Sequence, residues 1–171
     1  MNFKAINCFL SEDNIKEHLE YLRLLRLKYS VLVKSFHELE GKNIIDIYKT
    51  TLNRRVREEA VNLLWKIMSH ELFFNSFEEN ASIRKQSVVL DRLIYDIMTE
   101  AQEKNYGFLY VYKNKQNDVT YMLVDHFDGV FIKYKPLLCL DLYEHTYFLD
   151  YRFKKDRFLR NALTYFDFGR L

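Results

Sequence analysis

The sequence predicts an α+β fold, in which an N-terminal hairpin of long helices precedes a small α/β unit with a three-stranded antiparallel sheet. Apolar residues recur at helical spacing through residues 1–104, and β-branched and aromatic runs replace that pattern afterwards. Hydrophobic residues make up 49% of the 171 residues, while four Gly and one Pro leave little material for linkers. We therefore divide the chain into a helical hairpin subdomain, residues 1–104, and a C-terminal α/β subdomain, residues 105–171.

The first long helix is predicted to begin after Ser11, which offers a capping oxygen ahead of the acidic pair Glu12 and Asp13. An apolar stripe at intervals of three or four residues follows, and His18 lies on it. The helix is expected to stop near Gly41. The stripe consists of Ile15, Leu19, Leu22, Leu25, Tyr29, Leu32 and Phe36.

Three further helical segments are predicted before residue 105. A short one covers residues 44–50, a long one covers residues 54–77, and a third covers roughly residues 83–104. The long segment carries His70 on its apolar face, together with Val56, Ala60, Leu63, Ile67 and Phe74.

The remaining residues read as strands and then as helix again. Residues 107–112 and 119–124 are β-branched and aromatic and flank a polar turn, which predicts an antiparallel hairpin. Residues 137–142 are a continuous apolar run, as expected of a third strand buried on both faces. Helical spacing returns after His145 and continues through residues 158–166.

Composition excludes some functions and leaves others open. No apolar run approaches the ~20 residues that cross a bilayer, so no membrane contact is expected. The net charge of +2 is too small to indicate nucleic-acid binding by itself. Cys8 and Cys139 are expected to be two buried thiols rather than a disulfide, as is typical of a reducing compartment. The first ten residues have neither a signal peptide nor an Arg-rich amphipathic presequence, although processing would remove either one.

One motif carries chemistry. The run Asp141-Leu142-Tyr143-Glu144-His145 directly follows the third predicted strand. A carboxylate and an imidazole four residues apart, at the end of a buried strand, can converge on one metal ion. Nitrogen and oxygen ligands of this kind suit iron and manganese, and they also suit zinc.

The stretch PLLCLDLYEHTYFLDYR, residues 136–152, resembles the C-terminal signature of the iron/manganese superoxide dismutases, in which Asp-x-Trp-Glu-His precedes an aromatic pair and Asp-Tyr. Residues 10–18 are similar to the segment of that family that supplies its first ligand. Residues 68–75 are similar to the segment that supplies the second, without its two tryptophans. The resemblance implies the dismutase fold and one iron or manganese ion per chain. Its ligands would be His18, His70, Asp141 and His145.

The same resemblance assigns roles outside the ligand set. His126 matches a histidine that lies against metal-bound solvent in one branch of the family. The alternative interpretation is that His126 is a polar loop residue after the second strand. Glu144 matches the glutamate that crosses a dimer interface to the partner's ligand histidine, and Tyr147 belongs to its aromatic surroundings; a plain surface glutamate is the alternative. The expected assembly is a homodimer, or a heterodimer with a related dismutase-fold chain.

Several positions depart from the family pattern. Arg26 stands where the family has the tyrosine that gates access to the metal, and Leu22 replaces a histidine of the access funnel. Lys66 replaces the glutamine common in iron enzymes. A guanidinium keeps its proton at ordinary pH and cannot pass one on. We expect Arg26 to place a fixed positive charge close to the metal, and dismutase activity to be weak.

These departures favour a structural role over turnover. The chain resembles the superoxide-dismutase-like proteins of mitochondrial small ribosomal subunits, which implies a mitochondrial location and contacts with ribosomal RNA and ribosomal proteins. The alternatives are an active iron- or manganese-dependent superoxide dismutase, located in mitochondria or otherwise in the cytoplasm, and a zinc or iron site that only holds the fold together.

A cluster of basic residues near the C-terminus could contact RNA phosphates, because aromatic residues are interleaved with it. A solvated helix face is the alternative interpretation. The basic residues are Arg152, Lys154, Lys155, Arg157 and Arg160, and the aromatic ones are Tyr151, Phe153 and Phe158.

Overall fold

The predicted α+β fold is confirmed. The computed structural model describes residues 3–79, 88–104, 106–127, 129 and 133–171. These form long helices followed by a three-stranded antiparallel sheet and two further helices. The elements are α1 Phe3–Asn7, α2 Glu12–Ser35, α3 Ile44–Tyr48, α4 Arg54–Phe74, α5 Val88–Glu103, β1 Phe108–Lys113, β2 Val119–Val124, β3 Leu138–Asp141, α6 Glu144–Tyr151 and α7 Lys155–Thr164.

Helix α2 begins as predicted and ends early. The Ser11 hydroxyl accepts a hydrogen bond from the Asn14 amide at 3.2 Å, which satisfies one free N–H of the first turn. The predicted end near Gly41 was wrong, because Phe36 leaves the helical region with φ −138° and ψ 84°. A 3₁₀ turn, His37–Leu39, follows and places Leu39 in the core.

Helix α4 packs against α2 and completes the hairpin. It ends at Phe74 rather than residue 77, because the next residues pair with the C-terminal segment. Phe77 forms an isolated β-bridge with Phe166, and the Glu78 amide donates to the Tyr165 carbonyl at 2.8 Å. Of the predicted helix over 83–104, the part before Val88 lies outside the described residues, and α5 confirms the rest.

The sheet has the strand order β2-β1-β3, and both pairings are antiparallel. Phe108 of the central strand lies opposite Asp141 of β3. The amide of Leu142 donates to the carbonyl of Gly107 at 2.9 Å, which extends this pairing past the strand end. Asp141 is therefore the last residue of β3, and its side chain is fully buried where β3 meets the helical hairpin.

Helix α6 of the α/β unit contacts the helical hairpin and the segment before it. Helix α6 packs on α2, where the Asp150 carboxylate accepts from the Ser11 amide at 2.8 Å. The Tyr151 hydroxyl donates to the Phe9 carbonyl. Whether residue 104 is the subdomain boundary stays a prediction.

Two expectations from composition can be compared with the structure. Cys139 is buried and Cys8 is exposed, and both are free thiols, so the expectation of burial was wrong for Cys8. None of the described helices has the length and apolar character needed to cross a membrane.

Candidate metal centre

Four side chains from four elements meet where β3 ends. His18 projects from α2, His70 from α4, Asp141 from the end of β3 and His145 from the first turn of α6. One ligand atom from each lies within 4.8 Å of the other three. The structure therefore brings together all four residues that the sequence nominated as ligands.

The distances are those of atoms that share one ion. The Nε2 atoms of His18, His70 and His145 lie 3.3, 3.3 and 3.4 Å from Oδ2 of Asp141. The Nε2 atoms of His70 and His145 are 3.3 Å apart. Two ligand atoms that each lie about 2.1 Å from one ion are separated by about 3.0 to 4.2 Å.

Buried atoms of this cluster lack hydrogen-bond partners among the described residues. They are both ring nitrogens of His18 and Oδ2 of Asp141, and both side chains are fully buried. A buried polar atom left unpaired costs about 1–3 kcal/mol. The other carboxylate oxygen of Asp141 accepts from the Tyr143 amide at 2.9 Å, which leaves Oδ2 for an ion. The donor set thus fits a bound metal cation.

His70 is held in the tautomer that a metal requires. Its Nδ1 lies 2.6 Å from the carbonyl oxygen of Lys66, and a carbonyl can only accept, so Nδ1 carries the proton. The lone pair is then on Nε2, which faces Asp141. A backbone contact to the outer ring nitrogen orients histidine ligands in this way in many metal sites.

Burial sets the protonation of the cluster. It lowers the pKa of His18, and it lowers the pKa of His70 to about 4. Burial alone would raise the pKa of Asp141, but the surrounding imidazoles hold it well below the usual range. His18 and His70 are therefore neutral near pH 7 and Asp141 is ionised, which are the forms that bind metals.

Aromatic rings close the inner side of the cluster. The rings of Phe73 and Phe74 lie 5.0 and 4.8 Å from that of His18, centroid to centroid. Phe108 meets His70 edge to face at 5.2 Å. Phe74 thus contributes an apolar ring at the position where the family segment has tryptophan.

The outer side of the cluster is open and lined by two tyrosines. The side chain of His145 is 30% exposed. Tyr21 packs against it with 4.5 Å between ring centroids, and Tyr143 stacks at 5.7 Å. Burial and the charge of Asp141 raise the pKa of Tyr21, and burial raises that of Tyr143 to about 12, so both hydroxyls keep their protons at neutral pH. The sequence interpretation missed Tyr21, although a residue three positions after His18 shares its helix face.

Arg26 does not bring an uncompensated charge to the cluster. Its guanidinium lies 2.7 Å from the Glu71 carboxylate of α4, and the two side chains are 51% and 41% exposed. The expectation of a fixed positive charge at the metal was therefore wrong, because Glu71 balances Arg26 at the surface. Leu22 is 1% exposed and belongs to the core.

The structure also places the residues predicted to act around the ligands. The His126 side chain is 80% exposed and contacts the Asp125 carboxylate, so this conformation does not place it against the cluster. Glu144 is exposed beside His145 and is available to a partner chain. Tyr147 is 5% exposed and stacks on Phe158 within its own chain. The interface roles of Glu144 and Tyr147 stay predictions.

Comparison with known protein families relates the chain to one of them. A family model described as "Iron/manganese superoxide dismutases, C-terminal domain" matches residues 75–171, more than half of this 171-residue chain. The matched region contains the sheet, Asp141 and His145. No curated protein matches the chain.

Proposed function

The chain belongs to the iron/manganese superoxide dismutase family, and we propose that it binds one iron or manganese ion and acts mainly as a structural subunit of a mitochondrial small ribosomal subunit. The ion would be held by His18, His70, Asp141 and His145. The convergence of buried, unpartnered nitrogen and oxygen atoms on one point carries the metal assignment. A bound iron or manganese supplies one-electron oxidation and reduction.

An exposed surface supports the ribosomal role. Arg152, Lys154, Arg157 and Arg160 are all exposed, and Phe153 beside them is 90% exposed. Cations of this kind contact RNA phosphates, and an exposed aromatic ring can stack on a base. We call these five residues the basic patch.

The basic patch is smaller than the sequence suggested. Tyr151 and Phe158 are buried in the core, so neither ring is available to RNA. The Lys155 ammonium contacts the Lys104 carbonyl, and burial lowers the pKa of Lys155 to about 8. Phe153 is therefore the aromatic residue of this segment that faces solvent.

Dismutation of superoxide is the second candidate function, and the open side of the cluster favours it. Two superoxide ions and two protons would give dioxygen and hydrogen peroxide. The rings of Tyr21 and Tyr143 lie beside His145, the most exposed member of the ligand set, and their hydroxyls are protonated at neutral pH. Their hydroxyls could hold and relay the protons that the peroxide product requires.

One pair of assays separates the two functions. The structural role predicts that the purified full chain sediments with mitochondrial small ribosomal subunits and is released at high salt. Arg152→Glu combined with Arg157→Glu is expected to abolish sedimentation, whereas Lys16→Glu combined with Lys34→Glu, a matched pair on α2, preserves it. Superoxide removal is expected to be weak. Absent sedimentation, together with strong turnover that His145→Ala eliminates, would favour the enzyme instead.

Glu144 provides the test of assembly. We propose that it pairs with His145 of a second dismutase-fold chain, because it is exposed next to the open side of the cluster. Sedimentation velocity is expected to show a dimer that Glu144→Lys dissociates and that Glu103→Lys, at another exposed position, leaves intact. A monomeric wild-type chain would oppose a homodimer, and a chain that dimerises only with a paralogue would support the heterodimer.

A further inference from the structure

The helical hairpin carries a groove whose lining begins at Tyr21, beside the open side of the metal centre, and continues along α2 to Ser35. It has a volume of about 900 Å³ and lies between α2 and α4. Leu25, Leu32 and Leu63 contribute apolar lining. Leu27 and Val31 also line it and are 50% and 55% exposed. We call this feature the hairpin groove.

The exposed leucine and valine of α2 form an incomplete apolar face. Leu27 and Val31 are four residues apart, so they lie one above the other on the same side of the helix. Scattered apolar residues are common on protein surfaces, but a contiguous apolar groove bordered by polar residues is typical of an interaction site. An apolar groove between two helices can receive the apolar face of a third helix.

Charge indicates what kind of helix would bind. Lys28, Arg55 and Lys66 line the groove together with one carboxylate, that of Glu59. Three cations against one anion leave the border positive. Within the described part of the chain, no carboxylate forms an ion pair with any of the three cations. Acidic residues flanking the bound helix would therefore find cations on both helices of the hairpin.

We propose that the hairpin groove binds an amphipathic helix of another protein, with leucine-type residues on one face and acidic residues along its flanks. The apolar face would cover Leu27 and Val31, and the acids would lie near Lys28, Arg55 and Lys66. A second copy of this chain is disfavoured, because it would bring the same cations against one another. RNA is disfavoured because Tyr21 is the one aromatic residue among the described residues that line the groove, which leaves little surface on which bases could stack.

Three synthetic peptides test this proposal with the full chain. One is an amphipathic helix with leucines on one face and glutamates on its flanks, the second replaces each glutamate with lysine, and the third scrambles the first. In fluorescence anisotropy, the acidic helix is expected to bind at least about tenfold more tightly than the other two, with an affinity that falls as salt rises. Equal binding of all three peptides would overturn the proposal.

Charge reversal makes the test independent of folding defects. Lys28→Glu combined with Arg55→Glu is expected to weaken the acidic peptide about tenfold and to strengthen the lysine peptide. A misfolded chain would not exchange its preference in this way. Lys16→Glu combined with Lys34→Glu, two changes on α2 outside the groove, is expected to alter neither affinity. An unchanged preference in the groove variant would contradict the proposal.

Val31→Asp tests the apolar contact and the competing occupant together. It is expected to weaken the acidic peptide at least about tenfold while leaving the sedimentation coefficient of the chain unchanged. If Val31→Asp instead dissociates a dimer, a second copy occupies the groove and the proposal fails.

Discussion

Burial determines the protonation state of individual ligand residues. His18 and His70 are enclosed by aromatic rings, which makes the charged imidazolium unfavourable. Asp141 stays ionised because the imidazoles around it favour the anion. The cluster is therefore ready to bind a cation at neutral pH, and acid should oppose both binding and folding.

The metal-free protein is expected to lose stability as the pH falls from about 6.5 towards 4. The pKa of His70 is about 4 in the folded chain and about 6.5 in the unfolded chain, so in this window the unfolded chain binds more protons. The shift corresponds to about 3 kcal/mol, and His18 shifts in the same direction. Urea unfolding in a chelator at pH 7 and pH 5 measures the part of this loss that falls between those two pH values, about 2 kcal/mol. His70→Gln should reduce the pH dependence of the free energy of unfolding. His126→Gln, at an exposed position outside the cluster, is the control. An unchanged pH dependence in His70→Gln would contradict this explanation.

Gly107 has a backbone conformation and a close contact with β2 that a side chain would disturb. Its φ is +123°, and a Cβ there would lie 2.7 Å from the Val124 carbonyl oxygen. Gly107→Ala is expected to destabilise the fold by about 3 kcal/mol or more, since strain and a backbone clash add together. Gly41→Ala is the matched control, because φ is +66° there and nothing lies within 4 Å. It should cost about 1–2 kcal/mol. Equal losses of melting temperature would show that the clash is relieved.

Single residues differ in how far sequence alone predicts them. The four ligands were predictable because residue type and spacing repeat a known pattern. Arg26 was not, because its long side chain reaches Glu71 on another helix, and helical spacing does not identify such a partner. Tyr21 was not predicted, because the family pattern places its gate at the position of Arg26, whereas Tyr21 approaches His145 from the helix face of His18.

Between elements, a buried polar group joins α4 to the central strand. The Trp65 indole N–H donates to the Tyr110 hydroxyl at 2.7 Å, and the Ser69 hydroxyl also contacts that oxygen. All three side chains are buried, and Trp65 and Ser69 lie within the five residues of α4 that precede His70. The position of this ligand relative to the sheet therefore depends partly on Tyr110.

Tyr110→Phe is expected to destabilise the fold by about 1–3 kcal/mol, because it leaves the buried Trp65 indole N–H without its acceptor, whereas Ser69 keeps its bond to the Trp65 carbonyl. Tyr95→Phe removes a hydroxyl from a residue that is 70% exposed, and it should change the free energy of unfolding by less than about 0.5 kcal/mol. Thermal unfolding of the two variants provides the comparison. A neutral effect of Tyr110→Phe would mean that the three groups do not act together.

Element types were more predictable than element ends. Apolar periodicity identified α2 and α4, and β-branched, aromatic and continuous apolar runs identified the three strands, because these patterns record which faces are buried. The ends of α2 and α4 depend on Phe36 and on the bridge between Phe77 and Phe166, and the latter joins residues far apart in sequence. Contacts of that kind leave little local pattern.

At the scale of the whole molecule, the metal centre links the two halves of the chain. His18 and His70 come from the helical hairpin, and Asp141 and His145 come from the α/β unit. An ion held by all four would bind the folded chain and not the unfolded one. Such binding stabilises by about 2.7 kcal/mol when free metal is 100 times its Kd.

The metal content of the purified full chain, measured by elemental analysis, tests this account most directly. The wild type is expected to hold close to one iron or manganese ion per chain. Asp141→Asn should lose it, because that change removes the anion at the centre of the ligand set, while His126→Gln should retain it. A wild-type chain that contains only zinc or no metal, or an Asp141→Asn chain that keeps its iron or manganese, would contradict the account.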